Sequence, residues 1–288
     1  MNKTNKKTEL EYIETQYGVM EKVDAEKLAV LKQLVTTYYG IQKTRIGMGN
    51  RISGIVKEYG ETENTAKLLD VFGESEKIEK AVLKHVKPLL REYRIYTDWL
   101  IKVRGIGPVL AAGFISGIKT PARFENISKL WRYCGYAVID GETESRKRGD
   151  KLSYSPFLKT MGWKAGESFV KIRGFYREAY EQFRSDEERK NEEGIIKPVE
   201  IAAGFVLKDD GEILTKAKIE KLKKEGISEV EVGMTNAHIY ARAKRKTVKL
   251  FLAHLWQVWR EIEELPVTKP YANTILGHEN FIKPPYWK

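Results

Sequence analysis

Asp98 to Gly117 reads Asp-Trp-Leu-Ile-Lys-Val-Arg-Gly-Ile-Gly-Pro-Val-Leu-Ala-Ala-Gly-Phe-Ile-Ser-Gly, an apolar helix end, a Gly-Ile-Gly-Pro bend and a helix of small residues. Each position in the bend has a physical reason. Gly105 and Gly107 permit positive φ and let an anion approach the main chain with no Cβ in the way. Pro108 at the first helical position presets φ and has no amide hydrogen to lose. The amides behind it, Val109 first, face outward at the positive end of the helix dipole, which suits a phosphate oxygen. Ile106 is the apolar peg that seats the bend between its two helices, and Lys102 and Arg104 add charge beside it. A contact of this kind grips a sugar-phosphate backbone without reading base edges, so it positions DNA and leaves sequence unread. A Rossmann or Walker loop is excluded, because the preceding segment is helical and no Gly-Lys-Ser/Thr follows.

The rest of the chain sets that bend in a basic, mostly helical protein. Over 288 residues, 42% are hydrophobic and 32% charged, which is enough for one large domain or two to three smaller ones. Lys and Arg number 51 against 40 Asp and Glu, a net charge of +11. That surplus favours a polyanionic partner. It is uneven: residues 101–180 hold 15 basic and 7 acidic side chains, whereas residues 191–234 hold 7 and 10. No apolar run approaches the roughly 20 residues of a membrane span, the N-terminus lacks the apolar stretch of a secretory signal, and Cys134 is the only cysteine. These features predict a cytoplasmic protein with Cys134 as a small buried thiol.

Four segments are expected. Residues 1–95 read as a helical hairpin: apolar residues recur at helical spacing between Ala25 and Gly60, broken near Gly47 and Gly49, which reads as one long helix or two shorter ones. Then Ile78, Val82, Val86, Leu89, Tyr93, Tyr96 and Leu100 step by threes and fours, close to a coiled-coil seam. That spacing predicts one helix from Ile78 to Leu100, kinked at Pro88 and available for a homodimer. Residues 96–190 form the helix-hairpin-helix domain. Residues 191–234 read as a small acidic α/β insertion: a β-rich stretch Val199–Leu207, a turn at Asp209-Asp210-Gly211, a helix Thr215–Lys224 and a strand Ile227–Val232. Residues 235–288 comprise a helix from Asn236 to about Glu264 and an aromatic, Pro-containing strap. On that helix Val248, Phe251, Leu255, Val258 and Ile262 form an apolar stripe, and Arg242, Arg245, Lys246 and Lys249 a basic face opposite. The expected class is mainly α with a small α/β insertion.

Two further stretches carry charge suited to a nucleic-acid backbone. The loop Arg146-Lys147-Arg148-Gly149-Asp150-Lys151 is basic and Gly-containing. Lys171-Ile172-Arg173-Gly174-Phe175-Tyr176-Arg177 interleaves aromatics with base, although core packing accounts better for Phe175 and Tyr176. His85, His238, His254 and His278 are far apart and Cys134 is near none of them, so no metal-ligand spacing appears. No cofactor is expected, and RNA remains as possible a partner as DNA because backbone amides recognise phosphate in both.

Leu100 to Gly135, with Val-Arg-Gly-Ile-Gly-Pro-Val-Leu-Ala-Ala-Gly, then Arg123-Phe124, then Leu-Trp-Arg-Tyr-Cys-Gly, resembles the C-terminal domain of the DEDD-type insertion-sequence transposases, the group that includes the Piv invertase and the bridge-RNA-guided recombinases. A helix of coiled-coil spacing before the hairpin and a late basic helix fit that layout. The resemblance implies DNA binding in transposition or recombination of a mobile element. Two departures matter. Members of that family begin with an RNase-H-like domain whose carboxylates hold Mg²⁺, and residues 1–74 supply none of its pattern. Their catalytic serine precedes a glycine, whereas the corresponding window here holds Thr143, Glu144 and Ser145-Arg146. Three readings follow: a DNA-binding relative without catalysis, an active recombinase that uses Ser145, and a helical scaffold whose base binds nothing in particular.

Overall fold

A computed structural model describes residues 10–14, 20–139, 142–143, 152–209, 211–268 and 282–288. The protein is mainly α-helical with a small α/β insertion, and it divides into two compact units, residues 1–165 with 252–288 and residues 166–251.

The first unit begins with an antiparallel pair, β1 (Leu10–Glu14) and β2 (Met20–Asp24), in register from Leu10 opposite Asp24 to Glu14 opposite Met20. The helical reading of residues 1–95 did not foresee it. From Ala25 a single helix, α1, runs to Tyr59. Of the one long or two shorter helices that the pattern allowed, the chain forms the single long one, and packing supplies the reason. A Cβ on Gly49 would stand 3.0 Å from the Phe72 ring, so the glycine admits the neighbouring helix at close range. That contact offsets the roughly 1 kcal/mol that a mid-helix glycine costs.

Gly60 ends α1 in the left-handed region at φ +77°, its amide donating to Val56 O at 2.9 Å. The chain then turns straight into α2 (Glu63–Leu90). Thr62 caps that helix reciprocally with Thr65: the Thr65 amide donates to Thr62 Oγ1 at 3.2 Å and the Thr62 amide to Thr65 Oγ1 at 2.7 Å. Arg45 binds Glu79 at 2.5 Å and Lys27 binds Glu92 at 2.6 Å, the pairing of an antiparallel helical hairpin.

The seam does not form one helix from Ile78 to Leu100. With Pro88 in its last turn, α2 stops at Leu90, and the chain resumes as a π-helical segment Ile95–Trp99 followed by a 3₁₀ turn Leu100–Lys102. Val82, Val86, Tyr96 and Leu100 are buried within the chain, while Ile78 is 51% exposed. Most of the apolar periodicity that suggested a dimer is therefore satisfied internally, because both hairpin helices pack on α3 (Pro108–Ile118).

Nine of the eleven residues of α3 are buried, which makes it the centre of this unit. Its glycines admit α5 (Pro156–Lys171): a Cβ on Gly113 would lie 2.5 Å from Met161 Sδ, and one on Gly117 2.6 Å from Leu158 Cδ2. A short helix α4 (Ile127–Tyr133), capped by Asn126, leads to the buried Cys134, whose thiol burial pushes far above its ordinary pKa. β3 (Val138–Ile139) and β4 (Glu142–Thr143) then pair antiparallel.

The second unit contains α6 (Phe175–Glu193), the insertion, and the first part of α8 (Asn236–Ile262). Phe169 stacks on Tyr176 with centroids 4.6 Å apart, and both rings meet Phe251 edge-on, so Tyr176 is core, as expected. The insertion forms a three-stranded antiparallel sheet in the order β5 (Ile195–Pro198), β7 (Glu229–Gly233), β6 (Val206–Leu207), with α7 (Lys216–Lys224) capped by Thr215. Val199, Phe205, Leu214, Ile219, Leu222 and Val232 are part of its core. The expected strand over Val199–Leu207 is shorter, because Val199–Ile201 turns as 3₁₀ helix.

The compact units thus cut the chain differently from the four expected segments. The hairpin of residues 1–95 shares a core with the helix-hairpin-helix, and the insertion belongs with residues 166–190 and 235–251. The apolar stripe of α8 is borne out, since Val248, Phe251, Leu255, Val258 and Ile262 are all buried. No helix among the described residues is long and apolar enough to cross a membrane.

Candidate nucleic-acid interface

The bend at Gly105 is a tight turn between a 3₁₀ segment and α3. The Val103 amide donates to Leu100 O at 3.1 Å, and the Ile106 amide closes the turn on Val103 O at 3.0 Å. Gly105, third in that four-residue turn, has φ +96°, which makes it type II and accounts for the glycine. Val103 and Ile106 are both buried, 3% and 6% exposed, so the apolar pegs point inward and hold the bend down. Lys102 and Arg104, which alternate with them, are exposed.

Gly107 has a different reason to be glycine. It is the N-cap of α3 at φ −77°, ψ 171°, a conformation open to any residue, and a Cβ there would meet nothing within 4 Å. It is exposed and offers no side-chain cap to the helix. Its carbonyl accepts the Ala111 amide at 3.0 Å, and Pro108 occupies the first helical position. The first turn of α3 thus has no side-chain cap, a Cβ on Gly107 at its start would meet nothing within 4 Å, and two exposed cations lie a few residues upstream. Such an arrangement suits an anion.

Hydrogen bonds tie α8 and residues 282–288 to the rest of the first unit. Arg260 on α8 is fully buried and donates through Nε to Pro266 O at 2.7 Å and through Nη1 to Pro121 O and Phe124 O at 3.2 and 3.1 Å. The end of the chain returns to the same place: Trp99 Nε1 donates to Pro285 O at 2.7 Å, His254 Nε2 to Ile282 O at 2.8 Å, and Trp287 Nε1 to Glu261 Oε2 at 2.5 Å. Residues 282–288 form a strap without regular structure, as the sequence suggested for the tail.

Arg242, Arg245, Lys246 and Lys249 lie in the second unit, and the clean basic face expected of them is corrected. All four are half-buried. Arg242 Nε meets Glu187 Oε2 at 2.5 Å and Lys246 Nζ meets Glu187 Oε1, while the Glu187 side chain is only 1% exposed. Burial works to raise the Glu187 carboxyl, but the hydrogen bonds from Lys246 and Arg242 outweigh it and hold it below the usual carboxylate range. Burial lowers Lys249, with the charge of Arg245 adding to it. Glu187 is the residue the sequence reading missed: nothing in the run Asp-Glu-Glu-Arg marks one of its carboxylates as facing inward.

Lys171, Arg173, Gly174 and Arg177 line a cleft of about 490 Å³ together with Glu178 and Glu181, and Arg177 is bound to Glu181 at 2.7 Å. Its walls carry both signs. Arg146, Lys147, Arg148, Lys151 and the weak nucleophile candidate Ser145 lie outside the described residues. Among the described residues, no three His, Cys, Asp or Glu side chains gather as a metal would require.

The structure thus brings Lys102, Arg104, Gly105, Ile106, Gly107 and Val109 to one site and keeps Arg242, Arg245, Lys246 and Lys249 on another unit. Compared with protein families, curated proteins and solved structures, the chain shows no match.

Proposed function

We propose that this chain binds DNA by its sugar-phosphate backbone, with the first turn of α3 receiving a phosphate oxygen and Lys102 and Arg104 flanking it, and that it serves transposition or recombination of a mobile element without catalysing strand transfer itself. The observation that carries the binding reading is the pair of glycines with separate reasons. Gly105 is required by its φ of +96°, but Gly107 is required by nothing in the protein, since a Cβ there enters open space. A ligand that approaches the main chain at van der Waals distance supplies the missing reason. The recombination context is supported by the sequence pattern around Leu100–Gly135 and by the basic balance of the chain.

The test follows from the same contrast. Gly107→Val leaves the fold intact, because its backbone angles suit any residue, yet it places two methyl groups in the path of the phosphate. The account expects thermal unfolding to shift by no more than the roughly 1 kcal/mol that a poor N-cap residue costs, and binding to a short duplex to weaken at least tenfold at low salt. Equal binding by Gly107→Val and the wild type assigns the affinity to other basic surfaces and removes the hairpin from the account.

A further inference from the structure

Of residues 40–78, only Ile52 and Thr65 are buried, so the far half of the α1–α2 hairpin holds almost no core. Helices draw most of their stability from packing an apolar face on a second surface. Here that face exists and no described residue covers it. Ile41, Met48 and Ile55 recur every seven residues on α1, and Leu68, Val71 and Ile78 are spaced by three and seven on α2. Ile41 and Met48 are half-buried, while Ile55, Leu68, Val71 and Ile78 are 38%, 37%, 59% and 51% exposed.

These residues share one flank of the hairpin. Arg45 pairs with Glu79 and Gly49 admits Phe72, which fixes the directions in which the two helices face each other. At about 100° per residue, Ile41, Met48 and Ile55 are rotated roughly 60–100° from that direction on α1, toward lower angles. Leu68, Val71 and Ile78 are rotated roughly 30–110° on α2, in the same sense. In an antiparallel pair, rotations of the same sense fall on the same side. The opposite flank of α1 is the one the unit covers: Val35 sits beside Gly113, Lys32 lies over the Phe157 ring and Lys164 over the Tyr39 ring.

Size and charge say what fits this face. From Ile41 to Tyr59 it runs roughly 27 Å at 1.5 Å of rise per residue, and two helices make it about 20 Å wide. That is on the order of 500 Å² per copy, or about 1,000 Å² between two, the least a specific interface needs. Along it α1 is positive, with Lys43, Arg45, Arg51 and Lys57 against Glu58. The facing stretch of α2 is negative, with Glu63, Asp70, Glu74 and Glu76 against Lys67 and Lys77. A surface with one helix of each sign is complementary to itself.

We propose that this face binds a second copy of the chain, forming an antiparallel four-helix bundle in which α1 of each copy packs on α2 of the other. A two-fold axis parallel to the hairpin sets positive helix on negative helix and brings the two tips side by side. A two-fold axis across the hairpin would stack α1 on α1 and like charge on like, which charge disfavours.

The test sediments the full chain over a concentration series. The wild type is a dimer that dissociates on dilution. Val71→Glu/Ile78→Glu keeps its helical content by circular dichroism, since both side chains are exposed in the single chain. It weakens association by at least about a hundredfold, because the two-fold axis brings the new carboxylates into one apolar face. Glu61→Cys, at the tip, reads the arrangement without altering the face: a short bismaleimide joins the two copies when the tips lie side by side. Stacking of α1 on α1 would hold the tips roughly 30 Å apart and give no cross-link. Wild type, whose Cys134 is buried, is the control. A wild type that stays monomeric throughout overturns the proposal and leaves the face to a different protein. So does a dimer that the Val71→Glu/Ile78→Glu change does not weaken. Dimers of Glu61→Cys that fail to cross-link overturn the pairing of α1 with α2.

Discussion

Arg260 Nη1 and the carbonyl of Phe124 lie 3.1 Å apart in the interior of the first unit, and Trp256, one turn earlier on α8, donates to the same carbonyl at 2.9 Å. The late helix is thereby pinned to the turn that follows α3, and two adjacent acceptors, Pro121 O and Pro266 O, depend on the same guanidinium. Arg260→Met keeps much of the volume and removes the donors. It is expected to destabilise the first unit by about 2–4 kcal/mol, because buried carbonyls lose their partners. Thermal unfolding of the variant measures this, and an unchanged midpoint would show that the carbonyls find other donors.

Acid should loosen the strap through His254. Burial pushes this imidazole down to about 4 from its ordinary 6.5, with the hydrogen bond to Ile282 O acting in the opposite direction. The unfolded chain therefore takes a proton between pH 6.5 and 4 that the folded chain refuses. The stabilising contribution is fully present above about pH 6.5 and is lost as the pH falls toward 4, with a full extent of about 3 kcal/mol at 1.36 kcal/mol per pKa unit. His254→Gln, which keeps a donor for Ile282, should flatten the stability profile over this window. A wild-type profile already flat there would contradict the assignment.

Glu187 makes the opposite of a charge-counting prediction. Glu187→Gln raises the net charge by one, and on charge alone it should tighten any binding of polyanions. It also leaves Arg242 and Lys246, each about a third exposed, without their buried carboxylate, and losing hydrogen bonds to a charged group costs about 1.5–3 kcal/mol. The folded carboxyl titrates below its ordinary range, so the stabilisation it gives is present above the unfolded-state pKa and disappears as the pH falls below it. Glu188→Gln, the same charge change at an exposed neighbour paired with Arg184, serves as the control. Chemical denaturation should separate the two, with the second unit markedly weakened only in Glu187→Gln. Similar midpoints for both would place Glu187 among the solvated charges.

Helix existence was legible because it is written in single-chain periodicity: the stripe Val248 to Ile262 and the Gly-Ile-Gly-Pro bend both read correctly as local signals. What could not be read lies in contacts between distant segments. Gly47 and Gly49 look like a break until Phe72 is seen beside Gly49. The seam from Ile78 looks like a dimer contact until α1 and α3 cover most of it from within. The basic face of α8 seems free until Glu187, 55 positions upstream of Arg242, is found beneath it. At the candidate site the turn chemistry of Gly105 was readable, whereas the return of the chain end onto Trp99 was not, since no sequence pattern joins residues 186 positions apart.

The most direct test watches the amides themselves. In a deuterated sample titrated with a short duplex at low salt, the account predicts that the amide resonances of Val109 and Leu110 move early and saturably, together with those of Arg104 and Gly105, and that Gly107→Val removes these shifts. Binding that leaves these four amides unmoved, with shifts confined to other surfaces, would contradict it.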